Sequence, residues 1–248
     1  MMGKLQPVPL VTKQPRLIHG NAEGVESYLD KPVDLVVTSP PYNIRGRKGE
    51  KWIYDLEYTD HDDSMPEEDY VEWQLDVMNA LYNVASDGAS FFYNHKVRHL
   101  EGKTVFPHSW VFNTPWTVRQ EIIWNRGSTH NHTSVLFWPY DERIFWLTKG
   151  NPILPDAPIA IPTIWNFTFE SDTWHPAPFN IKLPQMCIQA VGRKNITVLD
   201  PFCGSGTTLV AACQYGLDCI GIDNSMEYLE KSKRANGWST NIENHILD

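Results

Sequence analysis

One short segment of the chain, Thr38-Ser39-Pro40-Pro41-Tyr42, combines a hydroxyl group, two prolines and an aromatic ring. The two prolines fix the backbone and remove two N–H donors, so the carbonyl groups of the segment point in set directions. The Ser39 hydroxyl and the Pro40 carbonyl can then accept the two N–H bonds of a base amine, while the Tyr42 ring stacks on the base. Such preorganised acceptors assist a weakly nucleophilic exocyclic amine as charge develops on its nitrogen. Pro-Pro-Tyr also occurs in ordinary rigid loops, and by itself this segment leaves both interpretations open.

A second segment, Asp200-Pro201-Phe202-Cys203-Gly204-Ser205-Gly206-Thr207-Thr208, has the composition of a turn that binds a cofactor. Its glycines allow a tight turn and a close approach to a ligand, and the start of the following helix offers free N–H groups to an anion. Asp223 follows at the end of the next apolar run, where folds of this kind place an acid that binds ribose hydroxyls. Leu209 stands where a dinucleotide-binding loop has its third glycine, and Asp200 with Phe202 suits a cofactor that carries a positive centre. A tight turn that binds nothing is the alternative.

Alternating strands and helices are predicted around these two segments. Apolar, β-branched runs predict strands at residues 33–37, 89–93, 121–124, 143–147, 196–200 and 218–222. Helical spacing predicts helices at residues 67–85, 178–191 and 207–215, and from about residue 225 onward. The run 138–146 is predicted to be a pair of strands with Asp141-Glu142 at the turn, and residues 150–177 to be irregular. Strands that alternate with helices imply an α/β fold with a mostly parallel sheet.

Composition limits the class of protein. The 248 residues, 42% hydrophobic and 21% charged, fit a single globular domain over residues 1–248. No apolar run approaches the roughly 20 residues of a membrane span, and the start of the chain is no signal peptide, so we expect a cytoplasmic protein without membrane contact. The four cysteines form no metal-ligand pattern, which predicts reduced thiols and no metal site. A net charge of −9 argues against coating nucleic acid by bulk charge but allows a local basic face.

The TSPPY and DPFCGSGTT motifs together resemble those of the S-adenosylmethionine-dependent DNA amino-methyltransferases, which modify adenine-N6 or cytosine-N4. The resemblance extends from about residue 18 to residue 222, and the catalytic motif precedes the cofactor loop, as in the circularly permuted β-class of these enzymes. It implies a doubly wound, mostly parallel, seven-stranded sheet of the Rossmann-like methyltransferase type. It also implies S-adenosylmethionine as the cofactor and S-adenosylhomocysteine as the product. The implied cofactor contacts are Asn21, where the family often has an acid, and Thr38, Asp200, Phe202, Gly204, Gly206, Thr207, Thr208 and Asp223.

The same resemblance implies direct, in-line transfer of a methyl group to the amine of a base that has been flipped out of a DNA duplex. Ser39, Pro40, Pro41 and Tyr42 would be the catalytic residues, and no cysteine nucleophile is needed. Loops at residues 43–63, 95–115 and 150–174 are the candidate DNA contacts and form a short recognition region. The candidate DNA-binding side chains are Arg45, Arg47, Lys48, Lys51, Arg126, His130 and His132, with an ordinary polar loop as the alternative for the two histidines.

Several alternatives stay open on the sequence alone. Serine before Pro-Pro-Tyr favours cytosine-N4 as the target in this family, with adenine-N6 as the alternative. An amino-methyltransferase that acts on RNA or on a protein glutamine shares the cofactor loop, although glutamine enzymes usually have Asn in place of Ser39 and their cofactor motif first. A catalytically silent nucleotide-binding or DNA-binding module is another alternative, against which the intact Ser39, Tyr42 and Asp223 count. The short recognition region favours a homodimer, and a cognate restriction endonuclease is a further candidate partner.

Overall fold

The computed structural model describes residues 13–44, 63–100, 102–129, 134–155, 160–168 and 179–246. The elements in these ranges are, in chain order, β1 (Arg16–His19), a 3-10 helix (Ala22–Ser27), β2 (Val33–Thr38), α1 (Glu67–Val84), β3 (Ala85–His95), β4 (Arg98–Leu100), β5 (Lys103–Val105), α2 (His108–Val111), β6 (Thr117–Asn125), β7 (Asp141–Thr148), β8 (Ile164–Asn166), α3 (Lys182–Val191), β9 (Thr197–Asp200), α4 (Thr207–Gln214), β10 (Asp218–Asp223), α5 (Met226–Asn236) and β11 (Ile242–Asn244). None of the helices in these ranges has the length and apolar composition that crossing a bilayer requires.

The strands form one sheet in the order β11-β1-β10-β9-β2-β3-β7-β6-β8, and β4 pairs with β5 in a separate hairpin. The strands from β11 to β3 in this order are mutually parallel, whereas β7 runs antiparallel to both of its neighbours and β8 is parallel to β6. The predicted α/β fold with a mostly parallel sheet is confirmed. Among the described residues the sheet has nine strands rather than seven, because the three-residue strands β11 and β8 extend its two edges.

Helices cover both faces of the sheet, and the alternation of side chains along β2 shows how. Leu35 and Val37 point into a core that α3 and α4 complete, whereas Val36 joins a second core with α1 and α2. All three side chains are fully buried. A strand that is apolar on both faces is typical of a parallel sheet between two helical layers. The nearly continuous apolar run at residues 33–37 follows from this double burial.

The prediction of a strand pair over residues 138–146 is wrong. A single strand, β7, begins at Asp141 and pairs with β3 and β6. Pro139 has no N–H to give to a sheet, and Trp138 is half exposed, so residues 134–140 are irregular. Glu142 therefore lies at the start of a central strand and not in a hairpin turn. The other predicted strands and helices form, with shifted ends; the helix expected at 178–191, for example, begins at Lys182.

The topology brings the two candidate segments to one edge of the sheet. β2 and β9 are adjacent and parallel, but β2 continues through α1 on one face to β3, and β9 continues through α4 on the other face to β10. Because the two crossovers leave in opposite directions, a crevice forms outside the carboxyl ends of these strands, where open α/β sheets bind ligands. Thr38 and Asp200, the last residues of β2 and β9, lie at this crevice.

Candidate active site

The loop between β9 and α4 requires glycine at its last position. Gly206 has a φ of +81°, and a Cβ there would lie 2.5 Å from Ser232 Oγ and 2.6 Å from the Trp238 ring. Gly206 N donates to Cys203 O (2.7 Å), and Cys203 N donates to Ile222 O (2.9 Å), so the turn is closed on itself and tied to β10. The start of α4 follows directly and faces the crevice with its free N–H groups.

Asp223, at the carboxyl end of β10, ties the same loop to the next helix. Its Oδ2 accepts a hydrogen bond from Gly204 N (2.8 Å), and its Oδ1 accepts one from Ser225 N (3.0 Å). A carboxylate oxygen can accept two hydrogen bonds, so these contacts orient Asp223 and leave it capacity as an acceptor. Gly20 N donates to Asp223 O (3.0 Å), which brings the exposed Asn21 to the same edge.

A buried pair, Thr38 and Asp200, joins the two motifs. Thr38 Oγ1 donates to Asp200 Oδ1 (2.6 Å) across a sequence separation of 162 residues, and Phe202 N donates to the same oxygen (3.1 Å). Burial raises the pKa of Asp200 to about 6, against the opposing effect of the Thr38 and Thr208 hydroxyls and the Phe202 N–H. No Lys, Arg or His within the described ranges forms an ion pair with this carboxylate. A buried negative charge without a counter-ion suits a positively charged ligand.

The remaining predicted cofactor residues lie at the same edge. The Phe202 ring is partly buried against Trp73, with a centroid distance of 5.5 Å. Thr207 Oγ1 is hydrogen-bonded to Ser205 Oγ (3.1 Å) in the first turn of α4, and Thr208 is buried. In the described part of the chain, no group of three or more His, Cys, Asp or Glu side chains is arranged to hold a metal ion.

The proline segment folds back on itself beside the Thr38–Asp200 pair. The hydroxyl groups of Ser39 and Tyr42 are hydrogen-bonded to each other. Tyr42 OH donates to Glu142 Oε2 (3.0 Å), and Asn94 Nδ2 donates to both Tyr42 OH (2.8 Å) and Glu142 Oε2 (2.7 Å). Asn94 is near the end of β3 and Glu142 near the start of the antiparallel β7, so both side chains come from the edge at which β2 ends.

Glu142 is a buried carboxylate whose two oxygens have different partners. Oε2 faces Tyr42 and Asn94, whereas Oε1 lies 3.1 Å from Arg126 Nη1 and 3.6 Å from Lys96 Nζ. Burial acts to raise the pKa of Glu142, but the two cations and the hydrogen bonds from Asn94 and Tyr42 outweigh it and hold the pKa below its ordinary value. The group is therefore ionised at neutral pH.

A further set of contacts supports the proline segment from behind. Tyr70 OH, from α1, donates to Pro41 O (2.7 Å) and lies 2.7 Å from His95 Nε2. Burial lowers the pKa of His95 to about 3, so its ring is neutral, and its Nδ1 faces Lys96 O (2.7 Å). The Tyr42 ring packs on the His95 ring with a centroid distance of 4.7 Å. Side chains outside the motif thus hold both the Pro41 carbonyl and the Tyr42 ring.

The predicted DNA-binding side chains are not brought together as a surface. Arg126 is 8% exposed, pairs with Glu142 and donates to Pro139 O (3.1 Å). It points into the active site, not toward a DNA-facing surface, because a buried carboxylate is stable only with cations and hydrogen bonds around it. Outside the described residues lie Arg45, Arg47, Lys48, Lys51, His130 and His132.

Of the three candidate DNA-contacting loops, residues 43–63 and 150–174 lie partly outside the described residues. Residues 95–115 form the β4–β5 hairpin and α2. Arg98 in this region makes a two-pronged ion pair with Glu67 (2.7 and 2.8 Å), and its guanidinium lies 4.6 Å from the centre of the Tyr70 ring. The base of the hairpin is therefore packed against α1 and supports the active site.

Sequence analysis misses five residues of this site: Tyr70, Asn94, His95, Lys96 and Glu142. The polar run at residues 94–96, directly after an apolar strand, is a signal that could have drawn attention to the end of β3. Nothing in the sequence links this run to Glu142, because the contact arises only from the antiparallel pairing in which His95 lies opposite Arg143.

A glycine loop and a buried carboxylate at the switch point of a doubly wound sheet define an α/β protein that binds a nucleoside cofactor. The family model described as DNA methylase, of the N6/N4 type, matches residues 33–234. YubD of Escherichia coli (strain K12), named as a methylase, is 30% identical to this chain, with 89% of this chain and 87% of YubD covered. The type II methyltransferase M.ScaI of Streptomyces caespitosus is 27% identical, with 86% of this chain and 78% of M.ScaI covered.

Two solved structures are similar to the whole chain. The PvuII DNA methyltransferase, which is cytosine-N4-specific, has a TM-score of 0.72 at 18% identity, with 96% of this chain and 89% of that chain covered. TTHA0409, a DNA modification methylase from Thermus thermophilus solved with S-adenosyl-L-methionine, has a TM-score of 0.65 at 22% identity, with 94% and 100% covered. These likenesses show the fold. By the family model and the YubD match, the chain belongs to the DNA methylase family that modifies exocyclic amino groups, adenine-N6 or cytosine-N4.

Proposed function

We propose that this DNA methyltransferase transfers a methyl group from S-adenosylmethionine to the N4 amino group of a flipped-out cytosine in double-stranded DNA, with adenine-N6 as the alternative target. The observation that carries the proposal is the hydrogen bond between Thr38 and Asp200, which holds the TSPPY segment against the glycine loop. Direct transfer needs the donor methyl group and the amine nitrogen within roughly 3–3.5 Å of each other. Two motifs anchored to each other at one crevice meet that requirement.

The residues at the crevice fit S-adenosylmethionine, which supplies an electrophilic methyl group on a positively charged sulfur. The buried Asp200 carboxylate suits the positive charges of the cofactor, because no cation of the described residues neutralises it. The N–H groups at Thr207 and Thr208, at the start of α4, suit the methionine carboxylate. Asp223 keeps acceptor capacity for ribose hydroxyls, and Asn21 lies beside it for the adenine.

The proline segment would act on the base. The Ser39 hydroxyl and the Pro40 carbonyl would accept the two N–H bonds of the amine and draw its nitrogen toward a tetrahedral geometry, in which the lone pair can attack. Tyr70 holds the neighbouring Pro41 carbonyl, so the direction of the segment is set before the base arrives. The Tyr42 ring would stack on the flipped base and offset part of the unstacking cost of a few kcal/mol. The serine at position 39 supports cytosine-N4 over adenine-N6 on the family resemblance.

The test combines product identification with two variants. Duplex DNA is incubated with the protein and methyl-labelled S-adenosylmethionine, then digested to nucleosides; we expect labelled N4-methylcytosine. Ser39→Ala and Tyr42→Ala should each retain below about 1% of the transfer rate, because each removes a group that acts on the amine, while the cofactor dissociation constant changes little. Ser109→Ala and Tyr215→Ala, exposed positions away from the crevice, are the matched controls.

Each other outcome contradicts a definite part of the proposal. Labelled N6-methyladenine would replace the target base, and label in RNA but not in duplex DNA would replace the substrate. Full activity of either active-site variant would remove that residue from its assigned role.

A duplex would approach the carboxyl edge of the sheet, since both motifs open there. The net charge of −9 requires that the contact be local, and the basic residues at positions 45, 47, 48 and 51, directly after Tyr42, are the proposed phosphate contacts. A second subunit would enlarge the surface that reads the DNA sequence, so we propose a homodimer on DNA. Sedimentation of the protein with and without a duplex tests this, and a single copy per duplex would exclude it.

A further inference from the structure

We propose that Glu142 is a further positioning residue for this reaction. Through the hydrogen-bonded chain Ser39–Tyr42–Glu142 it makes the Ser39 hydroxyl an acceptor for the base amine, and it takes up the proton that the amine loses. The inference rests on the proposed function of Ser39 and adds to it a third element, β7, that no part of the TSPPY segment indicates.

The direction of the chain follows from its last member. An ionised carboxylate can only accept hydrogen bonds, so Tyr42 donates its single proton to Glu142 Oε2. The Tyr42 oxygen must then accept from Ser39, because a phenol has no second proton to give. The proton of Ser39 is thereby committed to Tyr42, and the lone pairs of Ser39 remain to accept an N–H bond. Without the carboxylate, Ser39 could equally well present its proton to the amine, which would oppose binding and attack.

The division of labour between the two carboxylate oxygens supports this role. Oε1 faces the cations Arg126 (3.1 Å) and Lys96 (3.6 Å), which keep the group ionised, while Oε2 faces only the hydroxyl chain and Asn94 among its described polar contacts. Asn94 Nδ2 donates to Tyr42 OH (2.8 Å), which requires that oxygen to act as an acceptor from this side. A carboxylate that merely neutralised the two cations would not need to reach the Tyr42 hydroxyl.

The same chain accounts for the proton. As the amine nitrogen bonds to the methyl carbon, the electron pair of the carbon–sulfur bond goes to sulfur. The nitrogen keeps the electron pair of the N–H bond that breaks, and the proton goes to the Ser39 oxygen. In the same step the Ser39 proton moves to the Tyr42 oxygen and the Tyr42 proton moves to Glu142 Oε2. Ser39 and Tyr42 end neutral, and Glu142 ends as a carboxylic acid that loses its proton to water when the product leaves.

Glu142→Gln and Tyr42→Phe, alone and combined, test the chain in the full-length protein. The first replaces the carboxylate by an amide that can donate to Tyr42, and the second keeps the ring but removes the hydroxyl. We expect each to lower the single-turnover rate by about 100-fold, with the dissociation constants for S-adenosylmethionine and duplex DNA within about twofold of wild type. The double variant should be no slower than the slower single variant, because both changes break one chain. Glu121→Gln is the matched control: Glu121 pairs with Arg143 on the neighbouring strand and has no contact with Tyr42 among the described interactions, and this variant should keep full activity.

Independent losses that multiply in the double variant would contradict a single chain, as would a Tyr42→Phe variant with the wild-type rate. A rate comparison of the wild-type protein in H₂O and D₂O serves if a variant fails to fold: slower single turnover in D₂O supports the relay, and equal rates overturn it. A wild-type protein that methylates nothing would instead overturn the proposed function. Active wild type with an equally active Glu142→Gln variant would overturn only this inference.

Discussion

Asp200 shows at the scale of one residue how burial prepares a binding group. In water an aspartate is ionised well below neutral pH, but burial raises the pKa of Asp200 to about 6. The Thr38 hydroxyl and the Phe202 N–H keep it oriented, and both donate to the same oxygen. The side chain is thus ionised at neutral pH at a cost that a positively charged ligand can offset.

Cofactor affinity should therefore depend on pH in a defined window. Because the pKa of Asp200 in the folded protein is raised, the group takes up a proton as the pH falls through about 6, and its charge is lost below that. We expect the dissociation constant for S-adenosylmethionine to rise about tenfold between pH 7 and pH 5, measured by calorimetry. Asp200→Asn should bind weakly at both values, without this dependence. Asp218→Asn, at the exposed opposite end of β10, should keep the wild-type dependence.

At the scale of elements, the loop between β9 and α4 is a tight fit between a strand and the helix that follows the next strand. Its last glycine combines a left-handed backbone with a close approach to α5, and both features exclude a side chain. Asp223 reinforces the fit from β10 through its bonds to Gly204 N and Ser225 N. The loop can present N–H groups to a ligand because its own geometry is fully determined by its neighbours.

Gly206→Ala should damage the protein more than a comparable change elsewhere. At Gly216, which also has a positive φ of +68° but open space around it, alanine costs only the backbone strain, about 1–2 kcal/mol. At Gly206 the added methyl group also meets Ser232 and Trp238, which adds about 1–3 kcal/mol. Urea denaturation of the two variants measures the difference, and only Gly206→Ala should also weaken cofactor binding. Equal losses of stability would show that α5 yields to the methyl group.

The elements themselves follow closely from the sequence, and their partners do not. The run at residues 33–37 predicts β2 because its residues are apolar on both faces, and the spacing of apolar residues at 67–85 predicts α1. The run 138–146 misleads, because two aromatic residues suggest a strand where Pro139 interrupts the backbone donors. As a result, the sequence places Glu142 in a turn and gives no indication of its role in the site.

At the scale of the whole molecule, an acidic protein belongs to a family that acts on a polyanion. The net charge of −9 repels DNA at long range, so binding must come from a small number of close phosphate contacts. The crevice at the carboxyl edge of the sheet restricts where these contacts can be made. Helices such as α5 run back from this edge, so the basic residues in the last turn of α5 lie at the opposite edge.

The salt dependence of DNA binding should report these contacts. If Arg45, Arg47, Lys48 and Lys51 each contact a phosphate, replacing all four with serine should reduce the slope of log K against log salt by about 3–4. Lys233→Ser with Arg234→Ser, on α5, should leave the slope close to the wild-type value. Binding of a short duplex measured by anisotropy at several salt concentrations gives both slopes. An unchanged slope in the fourfold variant would assign the phosphate contacts to another part of the chain.

The sequence by itself determined the class of fold, the two motifs and the family to which they point, because each is encoded within a few consecutive residues by chain stiffness, glycine and apolar pattern. Only the tertiary structure decided which side chains surround the Ser39 and Tyr42 hydroxyls. Asn94 and Glu142 reach them from two strands whose antiparallel register depends on the packing of the whole sheet. Hydrogen bonds between residues far apart in the chain carry no local signal, and for that reason the carboxylate that completes the site could be found only in three dimensions.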